Sequence, residues 1–492
     1  MVKKLVMVLL AMTMCLCLCT PISAENPIVQ TCFTADPAPM VYGDTVYVYV
    51  GEDAIGDGGN YNMPHWRCYS TTDMVNWTDH GAVMRSDDFE WALPGSAWAA
   101  QCIERNGKFY LYTTVTTEEF GGGRAIGVGV SDSPTGPFED ALGKPLAGPN
   151  WIYIDPTVFI DDDGQAYLYW GNPTLHVVKL KKNMIALDGE IKEFNMTYKA
   201  FGQMIDPDGS HDDCYEEGPW VYKRNGIYYL VYAGYGTPES ICYSTSDSPT
   251  GGWEYQGIIM NNKNSFTIHP GIIEFKRKNY FFYHGGDLEG SAWNLRAVCV
   301  AEFEYNEDGT IPLIIQTTKG VEAIATLDPY SRVEAETICW SEGLKTDRAE
   351  NGMYVTDVDN GDYIKVENVD FSGGGAINFI ANIKANANAI IDVRLDSMFG
   401  ELAASLNVKK TQDWENIKCN CENITDVHDV YILFRTEAED ALEIDYWQFL
   451  REGDEVVTTA EADISTPVVA VAVFVIVAGL AVILIATRKK KK

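Results

Sequence analysis

Helical periodicity is nearly absent from this sequence, and positive charge is scarce. Its 492 residues carry 37 Lys and Arg against 70 Asp and Glu, a formal net charge of −33. So acidic a chain repels phosphate backbones, which excludes nucleic acid as a partner. Three of the twelve cysteines (Cys15, Cys17, Cys19) fall within the first 24 residues. The rest are odd in number and scattered, so no disulfide framework is implied. Cys419-x-Cys421 has no second pair with which to hold zinc. There is no His-Glu-x-x-His and no Gly-x-Ser-x-Gly. Gly121-Gly122-Gly123 leads into neither Lys-Ser/Thr nor a helix. Zinc-peptidase, serine-hydrolase and phosphate-loop chemistries are therefore excluded. Asp161-Asp162-Asp163-Gly164 lacks the twelfth-position Glu of a calcium loop and reads as a hairpin turn.

The two ends are informative. Residues 1–24 read as a secretory signal: Lys3 and Lys4, an apolar stretch from Leu5 to Cys19, then the small-residue site Ile22-Ser23-Ala24. Val468 to Ala486 is an uncharged apolar run of nineteen residues between Pro467 and the basic Arg488 to Lys492. At 1.5 Å per residue it matches a hydrocarbon core about 30 Å thick. We expect one transmembrane helix over 467–487, a cytoplasmic basic tail over 488–492, and a short acidic stalk over 451–466. That makes a single-pass protein of the cell surface with its acidic bulk outside. Three sequons, at Asn76, Asn195 and Asn423, matter only in a eukaryotic secretory pathway.

Between the ends the chain is all-β in style, with short alternating runs rich in Tyr, Val and Phe between Gly, Asn and Asp. Residues 330–450 have the length of a separate β-sandwich. Residues 25–320 repeat. A turn followed by an aromatic strand recurs as Gly43-Asp-Thr-Val-Tyr-Val-Tyr49, Asn106-Gly-Lys-Phe-Tyr-Leu-Tyr112, Asp163-Gly-Gln-Ala-Tyr-Leu-Tyr169, Asn225-Gly-Ile-Tyr-Tyr-Leu230 and Asn279-Tyr-Phe-Phe-Tyr283. Ser131-Asp-Ser-Pro-Thr-Gly136 returns as Ser246-Asp-Ser-Pro-Thr-Gly251. Five copies, each long enough for a four-stranded blade, predict a five-bladed β-propeller.

Each blade's first strand should line the central channel. Counting back 11 or 12 residues from one aromatic of each copy (Tyr47, Tyr110, Tyr167, Tyr229, Phe281) reaches Asp36, Trp98, Asp155, Glu217 and His269. Four of these are followed directly, or after one residue, by proline. Equivalent positions of five blades meet around one axis, so three carboxyls, an indole and an imidazole should converge. Alone, each has a bland reading: Asp-Pro is common in turns, Trp98 could be core, and Glu216 competes with Glu217 for the exposed position. Together they fit glycoside hydrolysis. One carboxylic acid protonates the leaving oxygen and one carboxylate activates water. A third acid nearby holds the first in its protonated form, and a Trp face receives sugar C–H groups.

These residues resemble glycoside hydrolase family 43, five-bladed propeller enzymes acting on arabinose- and xylose-containing glycans. The resemblance runs over about 26–320. It is carried by Thr34-Ala-Asp-Pro-Ala-Pro-Met-Val41, Asp73-Met-Val-Asn-Trp-Thr-Asp-His-Gly81, Ile154-Asp-Pro-Thr157, Glu217-Gly-Pro-Trp220 and His269-Pro-Gly271. It implies Asp36 as general base, Glu217 as general acid and Asp155 as the modulator of its pKa. It also implies that Trp98, His269 and Arg296 face substrate, that His269 stands beside a calcium through water, and that Arg296 contacts the modulating Asp155. The second unit resembles a carbohydrate-binding module of family 6. Its matching pieces are Arg332-Val-Glu-Ala-Glu336, Asn360-Gly-Asp-Tyr-Ile364, Val369-Asp-Phe371, Trp414 and Ile444-Asp-Tyr-Trp-Gln-Phe449. There the resemblance implies that Tyr363 and Trp414 sandwich a sugar, and that Glu334, Glu336 and Asp445 hold a structural calcium. No organic cofactor is expected. The resulting expectation is an inverting glycosidase that removes arabinofuranosyl groups from arabinoxylan-type hemicellulose. A β-xylosidase and a non-catalytic surface glycan-binding protein are the alternatives.

Overall fold

A computed structural model describes residues 26–456, apart from 57–59, 203–213, 235, 237, 351 and 455. The expected signal, transmembrane helix and tail, and most of the stalk, lie outside the described residues. Among the described residues no helix is long and apolar enough to cross a membrane.

Five antiparallel sheets form the propeller. Blade one holds Thr34–Tyr42, Thr45–Glu52, His65–Thr71 and Trp77–Arg85. Blade two holds Ala100–Arg105, Lys108–Thr117, Gly123–Ser131 and the short Glu139–Asp140. Blade three holds Thr157–Ile160, Ala166–Trp170, His176–Leu180 and Leu187–Glu193. Blade four holds Tyr215–Arg224, Ile227–Gly234, Ser240–Ser246 and Glu254–Asn261. Blade five departs from the four-strand expectation, with only Gly271–Phe275, Lys278–Gly285 and Ala297–Phe303. The N-terminal segment covers its outer edge instead. Ile28 donates its N–H to the Val298 carbonyl (2.9 Å), and the Asn26 amide exchanges two 3.0 Å bonds with the Val300 backbone. An otherwise open strand edge is thereby closed.

The repeats have a packing purpose. The second strand of each blade carries a tyrosine whose body is buried and whose hydroxyl must find an acceptor. In blades one to four that acceptor is a carbonyl of the following blade's loops. Tyr49 donates to Pro134 (2.6 Å), Tyr112 to Met184 (2.6 Å), Tyr169 to Pro249 (2.7 Å) and Tyr229 to Gly309 (2.8 Å). Pro134 and Pro249 sit in the two Ser-Asp-Ser-Pro-Thr-Gly loops. There the Ser131 and Ser246 hydroxyls accept the N–H two residues on, at 3.0 Å each, and set the turn.

Residues 340–450 form the sandwich, in two sheets. One runs Trp340–Glu342, Tyr363–Asp370, Val427–Thr436, Ala389–Leu395, Leu402–Val408. The other runs Glu415–Ile424, Ala376–Ala385, Leu442–Leu450, Gly352–Thr356, Lys345–Ala349. Ile364, Ile391, Phe379, Trp447 and Phe449 fill the space between them. Propeller and sandwich belong to one compact unit that ends at Asp454. The strand Thr337–Ile338 pairs with the outer strand of blade one. Asn76, fully buried, donates to the Glu367 carbonyl and accepts the Glu367 N–H, both at 2.9 Å. The sequon at Asn76 is therefore structural, with no free amide to carry a glycan.

Candidate active site

The five counted residues do meet. Asp36, Trp98, Asp155, Glu217 and His269 line one pocket together with Tyr61, Arg124, Thr267 and Arg296. The pocket encloses about 130 Å³, far below the volume of a drug-sized site. It has room for one sugar ring rather than a length of chain.

Local backbone geometry delivers the carboxyls. Asp36 and Asp155 both take the left-handed conformation, with φ of 55° and 57°. Aspartate tolerates that region better than bulky residues, and the following proline cannot continue a regular ladder. In each case a side chain from the preceding blade's second strand accepts the aspartate's own N–H: His284 Nδ1 for Asp36 and Thr114 Oγ1 for Asp155, both at 3.1 Å. His284 Nε2 stands 2.9 Å from the Thr267 carbonyl, which can only accept. The proton therefore sits on Nε2 and leaves Nδ1 free for Asp36. In blade four a bulge replaces the Asp-Pro turn, and Gly218 takes the left-handed position at φ 61°. A Cβ on Gly218 would come within 3.1 Å of His269 Nδ1, so glycine is required twice over.

The electrostatics divide the carboxyls. Burial pushes Asp36 up, but the Arg296 guanidinium, with Nη1 donating to Oδ1 at 3.0 Å, and the neighbouring His284 and His269 together outweigh it and hold the group well below the usual carboxylate range. Burial raises Glu217 above its ordinary value. The 2.7 Å bond from Asn172 Nδ2 opposes this, and the negative Asp36 reinforces it. Burial and then the charge of Glu217 push Asp155 well above the ordinary range, although Gly218 N–H donates to its Oδ2 at 3.0 Å. Burial also lowers His269 to about 4, so the ring is neutral at neutral pH. Glu239 of blade four is a further buried acid, raised by burial and by Glu217.

Arg296 corrects one expectation: it bonds Asp36, not Asp155. It is itself clamped by the fully buried Asp53, with Nε to Oδ2 at 2.9 Å and Nη2 to Oδ1 at 2.8 Å. Asp53 belongs to a set the sequence reading missed. Thr116 Oγ1 accepts from Trp98 Nε1 (3.0 Å), Asn172 holds Glu217, and Asp287 accepts from Asn264 (2.6 Å). Asp53, Thr116, Asn172 and Asp287 each lie 5 or 6 residues after the same reference aromatics. Counting forward as well as back would have found them. Tyr61 comes from an irregular loop and Arg124 from the start of the strand Gly123–Ser131, and neither sits at a repeated offset.

The sandwich departs further from expectation. Tyr363 lies on a sheet face beside Tyr431, with ring centroids 6.2 Å apart. Trp414 packs edge-on against Tyr354 at 5.7 Å. Two of the expected calcium ligands, Glu334 and Asp445, are paired with a cation of the chain itself. The Arg332 guanidinium bridges Glu334 (2.7 Å) and Asp445 (3.0 Å), which fills the position between them with a cation from the chain itself. Burial pushes the Glu336 carboxyl well up, the charges of Glu334, Asp79 and Asp445 add to this, and its buried Oε2 has no hydrogen-bond partner. Among the described residues no group of three or more His, Cys, Asp or Glu is placed to hold a metal.

A one-ring pocket whose carboxyls are pushed in opposite directions defines a class, the enzymes that cut glycosidic bonds. The chain belongs to glycosyl hydrolase family 43: the family "Glycosyl hydrolases family 43" matches residues 24–311, and "Carbohydrate binding module (family 6)" matches 334–451. An arabinoxylan arabinofuranohydrolase of Bacillus subtilis (strain 168) is 33% identical over 500 aligned residues, covering 87% of this chain and 93% of the relative. The crystal structure of a Bacillus subtilis arabinoxylan arabinofuranohydrolase with cellotetraose superposes with a TM-score of 0.74 at 30% identity, covering 87% of this chain and 99% of that one. A β-xylosidase/α-arabinofuranosidase from a compost metagenome, solved with xylotriose in a calcium-free form, gives 0.53 at 31% identity, covering 60% and 98%.

Proposed function

We propose that this glycosyl hydrolase removes arabinofuranosyl groups from arabinoxylan-type hemicellulose by single displacement. Asp36, kept ionised by Arg296, is the general base that takes a proton from water. Glu217, kept protonated by burial, is the general acid that hands its proton to the leaving oxygen. The charge of Asp36 reinforces the rise at Glu217, and Asp155, the expected modulator, holds through Gly218 the bulge that carries Glu217. Trp98 forms an apolar wall for the sugar, while His269 and Arg296 offer polar contacts. The observation that carries this reading is the opposite perturbation of Asp36 and Glu217 in a pocket for one ring. The arabinofuranohydrolase relatives that span nearly the whole chain support the choice of sugar. β-Xylosidase activity is the second reading, favoured by the xylosidase/arabinosidase relative that matches the propeller.

Assays on an aryl α-L-arabinofuranoside and an aryl β-D-xyloside rank the two sugars, and NMR of the first-formed anomer reports inversion. Glu217→Ala is expected to reduce turnover of natural glycan at least ~10³-fold with the fold intact, and to spare aryl glycosides whose leaving group needs little protonation. Full activity of that variant on arabinoxylan would rule out Glu217 as the acid. A calcium served by His269 through water is the remaining part of the family expectation, checked by activity before and after chelation. The apolar segments at both ends support secretion and anchoring at the cell surface. Protease accessibility on whole cells, with release to the medium on truncation at residue 455, checks that placement.

A further inference from the structure

The backbone that carries Asp36 is held, at several removes, from blade four. Asp36 stands at φ 55°, and its N–H goes to His284 Nδ1 at 3.1 Å. His284, fully buried on the second strand of blade five, keeps Nδ1 free to accept because its Nε2–H goes to the Thr267 carbonyl at 2.9 Å. That carbonyl belongs to a peptide group whose other end is the N–H of Ile268, a buried pocket residue. The Ile268 N–H donates to Glu239 Oε2 at 2.9 Å. Glu239 ends the loop between the second and third strands of blade four, is buried, and gives its own N–H to the Phe266 carbonyl at 3.5 Å. Asn262 Nδ2 and Ser265 Oγ also donate to the Thr267 carbonyl, but from the same loop; Glu239 reaches this peptide from another blade. Every donor in the chain points away from Asp36, and the chain ends on the Glu239 carboxyl. In such a chain each bond polarises the next, so an acceptor at the Ile268 N–H strengthens the Thr267 carbonyl and fixes its aim at His284. No step of the proposed chemistry uses Glu239.

We propose that Glu239 is a positioning residue for the general base, acting on Asp36 through the peptide between Thr267 and Ile268 and through His284. This rests on the reading of Asp36 as the base. What Glu239 supplies is an oxygen that accepts, rather than a charge. Burial and the charge of Glu217 push its carboxyl well above the ordinary range, and a protonated carboxyl still accepts through its carbonyl oxygen, as an amide does. Without that oxygen the Ile268 N–H is left buried and unpaired, the peptide turns, and His284 and Asp36 move with it.

The test compares Glu239→Ala and Glu239→Gln with the wild-type chain on arabinoxylan and on an aryl arabinofuranoside whose leaving group needs little protonation. The aryl substrate bypasses the acid and so reports the base. Glu239→Ala is expected to lower kcat roughly ten- to hundred-fold on both substrates and to change KM less than about three-fold, as a small misplacement of the base would. Glu239→Gln keeps the acceptor and should recover most of the loss. Loss on arabinoxylan alone would place Glu239 behind Glu217, equal losses in both variants would make its charge the active feature, and no loss would remove its role; each overturns the proposal. Should Glu239→Ala fail to fold, Glu239→Asp takes its place: the carboxyl stays but its oxygen retreats by one methylene, so a loss on both substrates is again expected and full activity overturns. If the wild type cleaves neither aryl pentoside, the reading of the pocket fails instead. The ring-nitrogen NMR shifts of His284 then decide: a proton held on Nε2 in the wild type and shared between the ring nitrogens in Glu239→Asp supports the relay, and unchanged shifts overturn it.

Discussion

Glu217 and Asp36 are pushed in opposite directions by their surroundings, not by their own chemistry. A buried carboxyl left alone rises in pKa. Asp36 escapes through Arg296, and Asn172 partly offsets the rise at Glu217. Asn172 donates to the charged form, so its removal takes pKa up. In Asn172→Ala the descending limb of kcat/KM against pH, where the acid loses its proton, is expected to move to higher pH. A shift downward would mean that Asn172 acts through something other than this bond. Asp53→Asn removes the negative partner of a buried guanidinium. It is expected to cost about 3–5 kcal/mol of stability by urea unfolding, and to reduce kcat as Arg296 leaves Asp36. The counting that found the carboxyls was legible because propeller repeats map equal sequence offsets to equal places around an axis. Arg296's choice of Asp36 was not legible, since it depends on Asp53, more than 240 positions away in the chain.

At the scale of strands and loops, the repeats mark more than blade count. Tyrosine hydroxyls tie each blade to the next, and this explains why Ser-Asp-Ser-Pro-Thr-Gly occurs twice. Blade five shows where repeat reading stops. Its fourth position is covered by the N-terminal segment, which shares no pattern with the other outer strands. In the sandwich, the strand pattern was readable but the facing pairs were not. Trp414 meets Tyr354, and Tyr363 meets Tyr431 on the strand paired with its own. Arg332 likewise stands in a motif of acidic ligands and takes the metal's place between two of them. Arg332→Ala, melted in the presence of a chelator, is expected to unfold at a lower temperature than the wild type because it leaves Glu334 and Asp445 facing each other. A large drop on chelation alone would restore calcium to this site.

Over the whole molecule, the propeller and sandwich are fastened together. Thr337–Ile338 extends blade one, Asn76 grips the Glu367 backbone, and Thr346 Oγ1 donates to Asp79 (2.7 Å). Val75 and Cys339 bury each other's apolar surface. A chain cut at residue 330 exposes this junction and leaves buried polar groups such as Asn76 unpaired, each worth about 1–3 kcal/mol. It is expected to melt well below the full-length protein and to aggregate, and an unchanged melting curve would show the propeller to be independent. The sequence alone determined the all-β class, the blade number, the apolar ends and the channel carboxyls, because strand period, turn chemistry and repeat spacing are local or periodic quantities. Tertiary structure decided the partners: which guanidinium charges which acid, which rings face each other, and how two domains lock. Those contacts join residues tens to hundreds of positions apart, and no local pattern encodes their distance.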